Sequence, residues 1–230
     1  MTAKPMVFIV GADKGGVGKT TVTRALLAYF KSHGVDFKAW DTEPAPGVLA
    51  RFYPDTAICK IVDLQKSDGQ MQVFDNLSKN YVSVIDCKAG LLSETLKTLS
   101  NIGFMDAMRE GKLDVVVLHI LGATKASFEE IQAAASVLSG AKHYLVTNHI
   151  NDTVYFGWDS DEAKTTLAKA TGVIDVPKLD ELAMEHVGEM SATFGAFADD
   201  TSTSFVIRGL VRHWMKQVYE AFNTAKLDPQ

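Results

Sequence analysis

Gly11-Ala12-Asp13-Lys14-Gly15-Gly16-Val17-Gly18-Lys19-Thr20-Thr21 settles the architecture of this chain. It comes after an apolar run, Met6 to Val10, and opens an amphipathic stretch, Thr20 to His33. Strand, glycine-rich turn and helix in that order make a cradle for phosphate. The glycines Gly15, Gly16 and Gly18 let the backbone bend and bring N–H groups, Val17 among them, towards phosphate oxygens. The helix start, with Thr20 and Thr21, adds partial positive charge. Lys19 is placed to reach the β- and γ-phosphates, and the Thr20 hydroxyl to ligate Mg²⁺. The expected ligand is a nucleoside triphosphate, ATP with Mg²⁺. The general pattern wants Gly six residues before its Lys, where this chain has Asp13.

Beyond this loop, short apolar runs alternate with longer amphipathic stretches, the signature of βαβ units around a parallel sheet. Strands are expected at Met6 to Val10, Phe37 to Trp40, Tyr81 to Ile85, Leu113 to Leu121, His143 to Thr147 and Val173 to Val176. Helices are expected at Thr20 to His33, stopped by Gly34, at Phe128 to Leu138, and at Ser204 to Ala225. Arg51 to Lys79 mixes apolar runs with Pro54 and Gly69, and no element is assigned there. Asn148 to Asp161 reads as a loop. The expected architecture is α/β: a doubly wound, mostly parallel sheet flanked by helices, in one domain over residues 1–230.

Lys14-Gly15-Gly16-Val17-Gly18-Lys19-Thr20-Thr21 carries a second lysine and resembles the deviant Walker A motif of the ParA/MinD family of P-loop ATPases. The resemblance implies that Lys14 reaches across a dimer to the partner's nucleotide. A cation placed there neutralises charge developing on the transferred phosphoryl group. It also implies a homodimer formed on ATP binding, slow hydrolysis, and the positioning or partitioning of DNA or another cargo. Part of the chain resembles the TraL-like ATPases of conjugative plasmids, which have a similar loop and an Asp-Thr-acid-Pro segment. The nitrogenase iron protein shares the wider group, but its cluster cysteines do not match Cys59 and Cys87.

Two acids at strand ends complete the expected site. Asp41, in Asp41-Thr42-Glu43-Pro44, matches the family's first acid, which organises Mg²⁺ and its waters. Glu43 stands where the family has a second Asp that positions the attacking water, and its stem is one methylene longer. Asp86, in Asp86-Cys87-Lys88-Ala89-Gly90, resembles the Walker B and switch II segment, with Gly90 free to move. Asn148 matches an Asn that recognises the base in relatives, an amide offering both donor and acceptor. Plain alternatives stand beside these: a turn residue for Asn148 and an exposed loop acid for Glu43. The functional alternative is a nucleotide-dependent binding or regulatory module with little turnover. A metabolic enzyme of the dethiobiotin-synthetase type is disfavoured by Lys14.

The 230 residues carry a formal net charge of -5, so the surface as a whole is not built to coat nucleic acid. A local basic patch is left, at Arg208, Arg212 and Lys216 on one helix face, and non-specific DNA binding is its functional reading. Cys59 and Cys87 form no CxxC framework, which suits a reducing cytoplasm. No stretch approaches the length needed to span a bilayer, and no appended amphipathic helix is seen. A cytoplasmic protein without membrane insertion is therefore expected, with a protein partner or cargo that the sequence does not name.

Overall fold

The computed structural model describes residues 4–150 and 153–229. Seven strands form one sheet: β1 (Met6–Gly11), β2 (Phe37–Asp41), β3 (Cys59–Ile61), β4 (Val82–Asp86), β5 (Asp114–Ile120), β6 (Lys142–Asn148) and β7 (Gly172–Val176). Their order is β3-β2-β4-β1-β5-β6-β7, and every pairing is parallel. The sequence pointed to a mostly parallel sheet; among the described residues it is wholly so. The central strand β1 lies between β4 and β5, and the chain passes over it on the way from one to the other. Such a reversal opens a crevice at the carboxyl ends of the strands.

The helices are α1 (Lys19–Ser32), α2 (Ser67–Phe74), α3 (Leu92–Asn101), α4 (Phe104–Arg109), α5 (Ala126–Val137), α6 (Asp161–Lys169), α7 (Glu181–Glu189), α8 (Phe194–Asp199) and α9 (Phe205–Thr224). Alternation along β1 sorts them into two layers. Phe8 and Val10 face a core built with α1, α7, α8 and α9. Val7 and Ile9 face a second core with α2, α3, α4 and α5. Because both faces are covered, β1 and β4 are buried nearly end to end, as continuous apolar strands of a parallel sheet should be.

The unassigned stretch from Arg51 to Lys79 contains β3 and α2. Both were hidden for physical reasons. β3 is a three-residue edge strand in which only Cys59 is buried. α2 contains Gly69, an apparent breaker, yet a Cβ there would stand 2.1 Å from the Asp63 carbonyl oxygen. Glycine is thus required by close approach rather than by a turn.

The long helix α9 is fastened at its middle and at its C-terminal end. Trp214 Nε1 donates to the Pro177 carbonyl at 2.7 Å, just past β7. Tyr144 and Tyr29 donate their hydroxyls to Ala225 O at 2.8 Å and Asn223 Oδ1 at 2.7 Å. The loop after β6 is held by Tyr155 and Trp158, which pack beside Phe128. Residues 151–152 of that expected loop lie outside the described residues. No helix among the described residues is long and apolar enough to cross a membrane.

Candidate nucleotide-binding site

The loop from residue 12 to residue 18 leaves β1 and enters α1 through Gly18, whose φ of 84° suits glycine. No side chain caps α1, and no acid occupies its first turn. Its first N–H groups are therefore left without a side-chain cap, as an anion site requires. Gly16 also has positive φ, at 75°, and open space beside it. Lys19 is 8% exposed, and its Nζ donates to the Lys14 carbonyl at 3.1 Å, folding the loop over its own lysine. Lys14 is exposed, with its stem passing beside Gly122, two residues past β5.

Asp13, the residue that departs from the general motif, has a partner. Its carboxylate accepts from both the hydroxyl and the N–H of Ser93 in the first turn of α3. The phosphate loop is thereby tied to the helix that comes after Asp86.

The two strand-end acids are register neighbours, Asp41 on β2 opposite Asp86 on β4. They are held differently. Asp41 is fully buried and accepts from the N–H groups of Glu43 at 2.9 Å and Ala50 at 3.0 Å. It thus shapes the loop that carries Glu43. Gly47 in that loop has φ of 78°, and a Cβ there would stand 2.6 Å from Asp41 Oδ2. Asp86 turns instead to α1, accepting from Thr20 Oγ1 and Thr23 Oγ1, each at 2.7 Å. Burial pushes the Asp86 carboxyl up to about 7 against the pull of these two donors, and Asp41 adds to the rise. Thr42 joins the two segments: its hydroxyl donates to Asp86 O at 3.0 Å and accepts from Lys88 N at 2.7 Å. Gly90, with φ of 77° and open space around it, lies on the exposed side of this junction.

Asn148 is 2% exposed, and its Nδ2 donates to the carbonyls of Val17 at 3.0 Å and Gly18 at 3.4 Å. As folded here it braces the phosphate loop. His149 turns away, to Asp175 Oδ1 at 2.8 Å. The fold thus brings Lys14, Lys19, Thr20, Asp41, Asp86 and Asn148 to the carboxyl ends of the interior strands. Sequence reading missed Thr23, Thr42 and Ser93. The three-residue step from Thr20 to Thr23 was a usable signal, because it puts both hydroxyls on one helix face.

The basic face on α9 needs correction. Arg208 is 9% exposed and turns inward, because its helix position faces the core. Arg212 lies 3.9 Å from Asp199, and Lys216 lies 3.9 Å from Glu220. Three aligned, solvated cations are not what the helix presents. Cys59 and Cys87 are free, buried thiols.

The chain has the fold of the ParA/MinD-type P-loop ATPases, with the phosphate loop after the central strand. Two solved structures share this fold: a nucleotide-binding protein from Archaeoglobus fulgidus in complex with ADP, and a plasmid partition protein from Borrelia burgdorferi bound to AMPPNP. The first aligns with a TM-score of 0.53 at 15% identity, over 81% of this chain and 86% of that one. The second aligns with a TM-score of 0.51 at 13% identity, over 96% and 99%. In sequence the chain is similar to Protein MobD of Acidithiobacillus ferrooxidans, 22% identical over 196 residues, covering 85% of this chain and 80% of that protein. No family model matches.

Proposed function

We propose that the protein is an ATP-dependent switch ATPase of ParA/MinD type, in which two copies close face to face over bound nucleotide. The observation that carries this reading is the pair of lysines in one loop: Lys19 buried against the loop backbone, Lys14 exposed. Lys19 holds the β- and γ-phosphates of its own nucleotide, and Lys14 is left to meet the phosphates of a second copy. AMPPNP in the partition-protein neighbour supports a triphosphate ligand.

The donor set suits Mg²⁺, a hard cation that takes oxygen ligands and keeps several waters. Thr20 Oγ1 and the Asp86 carboxylate meet at 2.7 Å, and Asp41 adjoins them in register. Thr20 would ligate the ion, with Asp86 and Asp41 holding its waters. The ion would neutralise charge on the transferring phosphoryl group. Glu43 comes two residues after Asp41 on a loop whose backbone Asp41 fixes, so its carboxylate is the group available to orient the attacking water. Its longer stem makes slow hydrolysis the expected regime. The cargo is DNA or another macromolecule. If DNA, contacts come from elsewhere than a continuous α9 stripe.

Sizing chromatography with ADP and with a non-hydrolysable ATP analogue tests the switch. A nucleotide-bound chain that elutes as a monomer in both would remove the role of Lys14. Phosphate release with and without Glu43→Ala separates the ATPase from a binding module with little turnover. Equal rates would take Glu43 out of the hydrolytic step. Retention on DNA at two salt concentrations tests direct DNA binding, and no retention at low salt would exclude it.

A further inference from the structure

We infer that Thr23 is a positioning residue for the metal site, holding Asp86 in place while Thr20 is engaged by the ion. This inference rests on the nucleotide–Mg²⁺ reading of the site. A carboxylate at the end of β4 can point in more than one direction, and its in-register neighbour Asp41 illustrates the alternative. Asp41 spends its oxygens on the N–H groups of Glu43 and Ala50, within its own loop. Asp86 is turned to α1 because two hydroxyls one helical turn apart each take one of its oxygens: Thr20 on Oδ2 and Thr23 on Oδ1, both at 2.7 Å.

The two threonines are not equivalent. Thr20 is partly exposed at the start of α1, where the Mg²⁺ reading of the site puts the ion. Thr23 is fully buried. Its hydroxyl has one proton and two acceptors in reach, Asp86 Oδ1 at 2.7 Å and the Lys19 carbonyl at 3.2 Å. The shorter, charge-assisted bond takes the proton. Thr23 therefore acts only through Asp86. It fixes one carboxylate oxygen so that the other faces Thr20 and the metal's water shell. Partners of this kind, one step out from a metal's own ligands, commonly contribute about tenfold to a hundredfold in metal affinity.

The test compares Thr23→Val, which keeps the shape and removes the hydroxyl, with Thr23→Ser, which restores it. A fluorescent ADP analogue is bound first in EDTA and then across a Mg²⁺ titration, with the unfolding midpoint of each variant measured alongside. The expected result is unchanged affinity in EDTA, a Mg²⁺ half-saturation raised about tenfold in Thr23→Val, and recovery in Thr23→Ser. Loss of affinity equally with and without Mg²⁺, or an unchanged Mg²⁺ half-saturation, overturns the inference. If Thr23→Val does not fold, Thr23→Ser set against Thr23→Ala carries the comparison with the same outcomes. An unmutated chain that binds no ADP analogue, or binds it without regard to Mg²⁺, overturns the nucleotide reading itself and the inference with it.

Discussion

Asn148 Nδ2 donates to the Val17 carbonyl at 3.0 Å, so the end of β6 holds the last residues of the phosphate loop, as Ser93 holds Asp13 near its start. The contact is close enough that a Cβ on Gly18 would stand 2.2 Å from the same nitrogen. Asn148→Ala should therefore loosen the loop, lowering stability by about 1 kcal/mol and nucleotide affinity several-fold. Gly18→Ala should do more, because it adds a clash to a φ of 84°. Urea unfolding and calorimetric nucleotide titration read both quantities. A Gly18→Ala protein with undiminished affinity would show that the loop is not held in this way.

The two lysines should separate by phenotype. Lys19→Ala removes the buried ammonium that folds over the loop, and nucleotide binding should fall by about a hundredfold or more. Lys14→Ala leaves the cradle intact, so binding should stay within about threefold while the nucleotide-dependent dimer is lost. Calorimetry and light scattering on the same samples check the pair. Equal loss of binding in both would place Lys14 in the cradle rather than at an interface.

A buried imidazole pair gives a pH dependence with a definite sign. His143 Nε2 faces the Leu138 carbonyl at 3.0 Å, which can only accept, so that nitrogen carries a proton. His143 Nδ1 then accepts from His119 Nε2 at 2.9 Å, and both rings are neutral. Burial, and next the neighbouring His143, lower His119 from 6.5 to about 3; burial lowers His143 too. The unfolded chain takes up protons below 6.5 that the folded chain refuses. The His119 contribution is whole above that pH and is lost as pH falls towards 3, by up to about 1.4 kcal/mol per pH unit, and His143 adds a loss of the same sign. Asp86 has the opposite slope, since its folded value of about 7 exceeds its ordinary 3.8 and stability falls as pH rises between them. His119→Gln keeps a donor for His143 and removes one titration. The difference between wild type and His119→Gln in urea stability, measured at about pH 7.5 and about pH 5, should change by about 2 kcal/mol. Parallel pH profiles would mean that His119 does not titrate between the two states.

Both thiols should be silent in the native protein. Burial raises Cys59 and Cys87 to about 12 each, with Asp41 and Asp86 adding to the respective shifts. A thiol needs its thiolate to react. A colorimetric thiol reagent should find close to none before denaturation and both afterwards. Rapid labelling of either cysteine in the folded chain would contradict the packing around β3 and β4.

The core of the fold was legible because its signals are local. The apolar runs of β1, β4 and β5 are long enough to show through, and the glycines with Lys19-Thr20 fix the turn and helix after β1. Lys14, Asp41 and Asp86 stand out because motif spacing is a one-dimensional property. The features that escaped depend on approach between distant segments. Gly69 reads as a helix breaker until Asp63 is seen against it, and Arg208 reads as a surface cation until its helix face is packed. Thr42 and Ser93 are ordinary residues in sequence, and only the registry of β2 with β4 and the path of α3 give them partners.

In the motif Asp13 is a blemish, an acid where the general pattern has glycine. Bonded to Ser93, it makes the phosphate loop one end of a strut whose other end is the first turn of α3. That helix carries Glu94 and Lys97 on its exposed side. Any shift of α3 is therefore passed to the glycine-rich loop without a contact in the crevice, and the motif's one irregular letter is where the two are fastened.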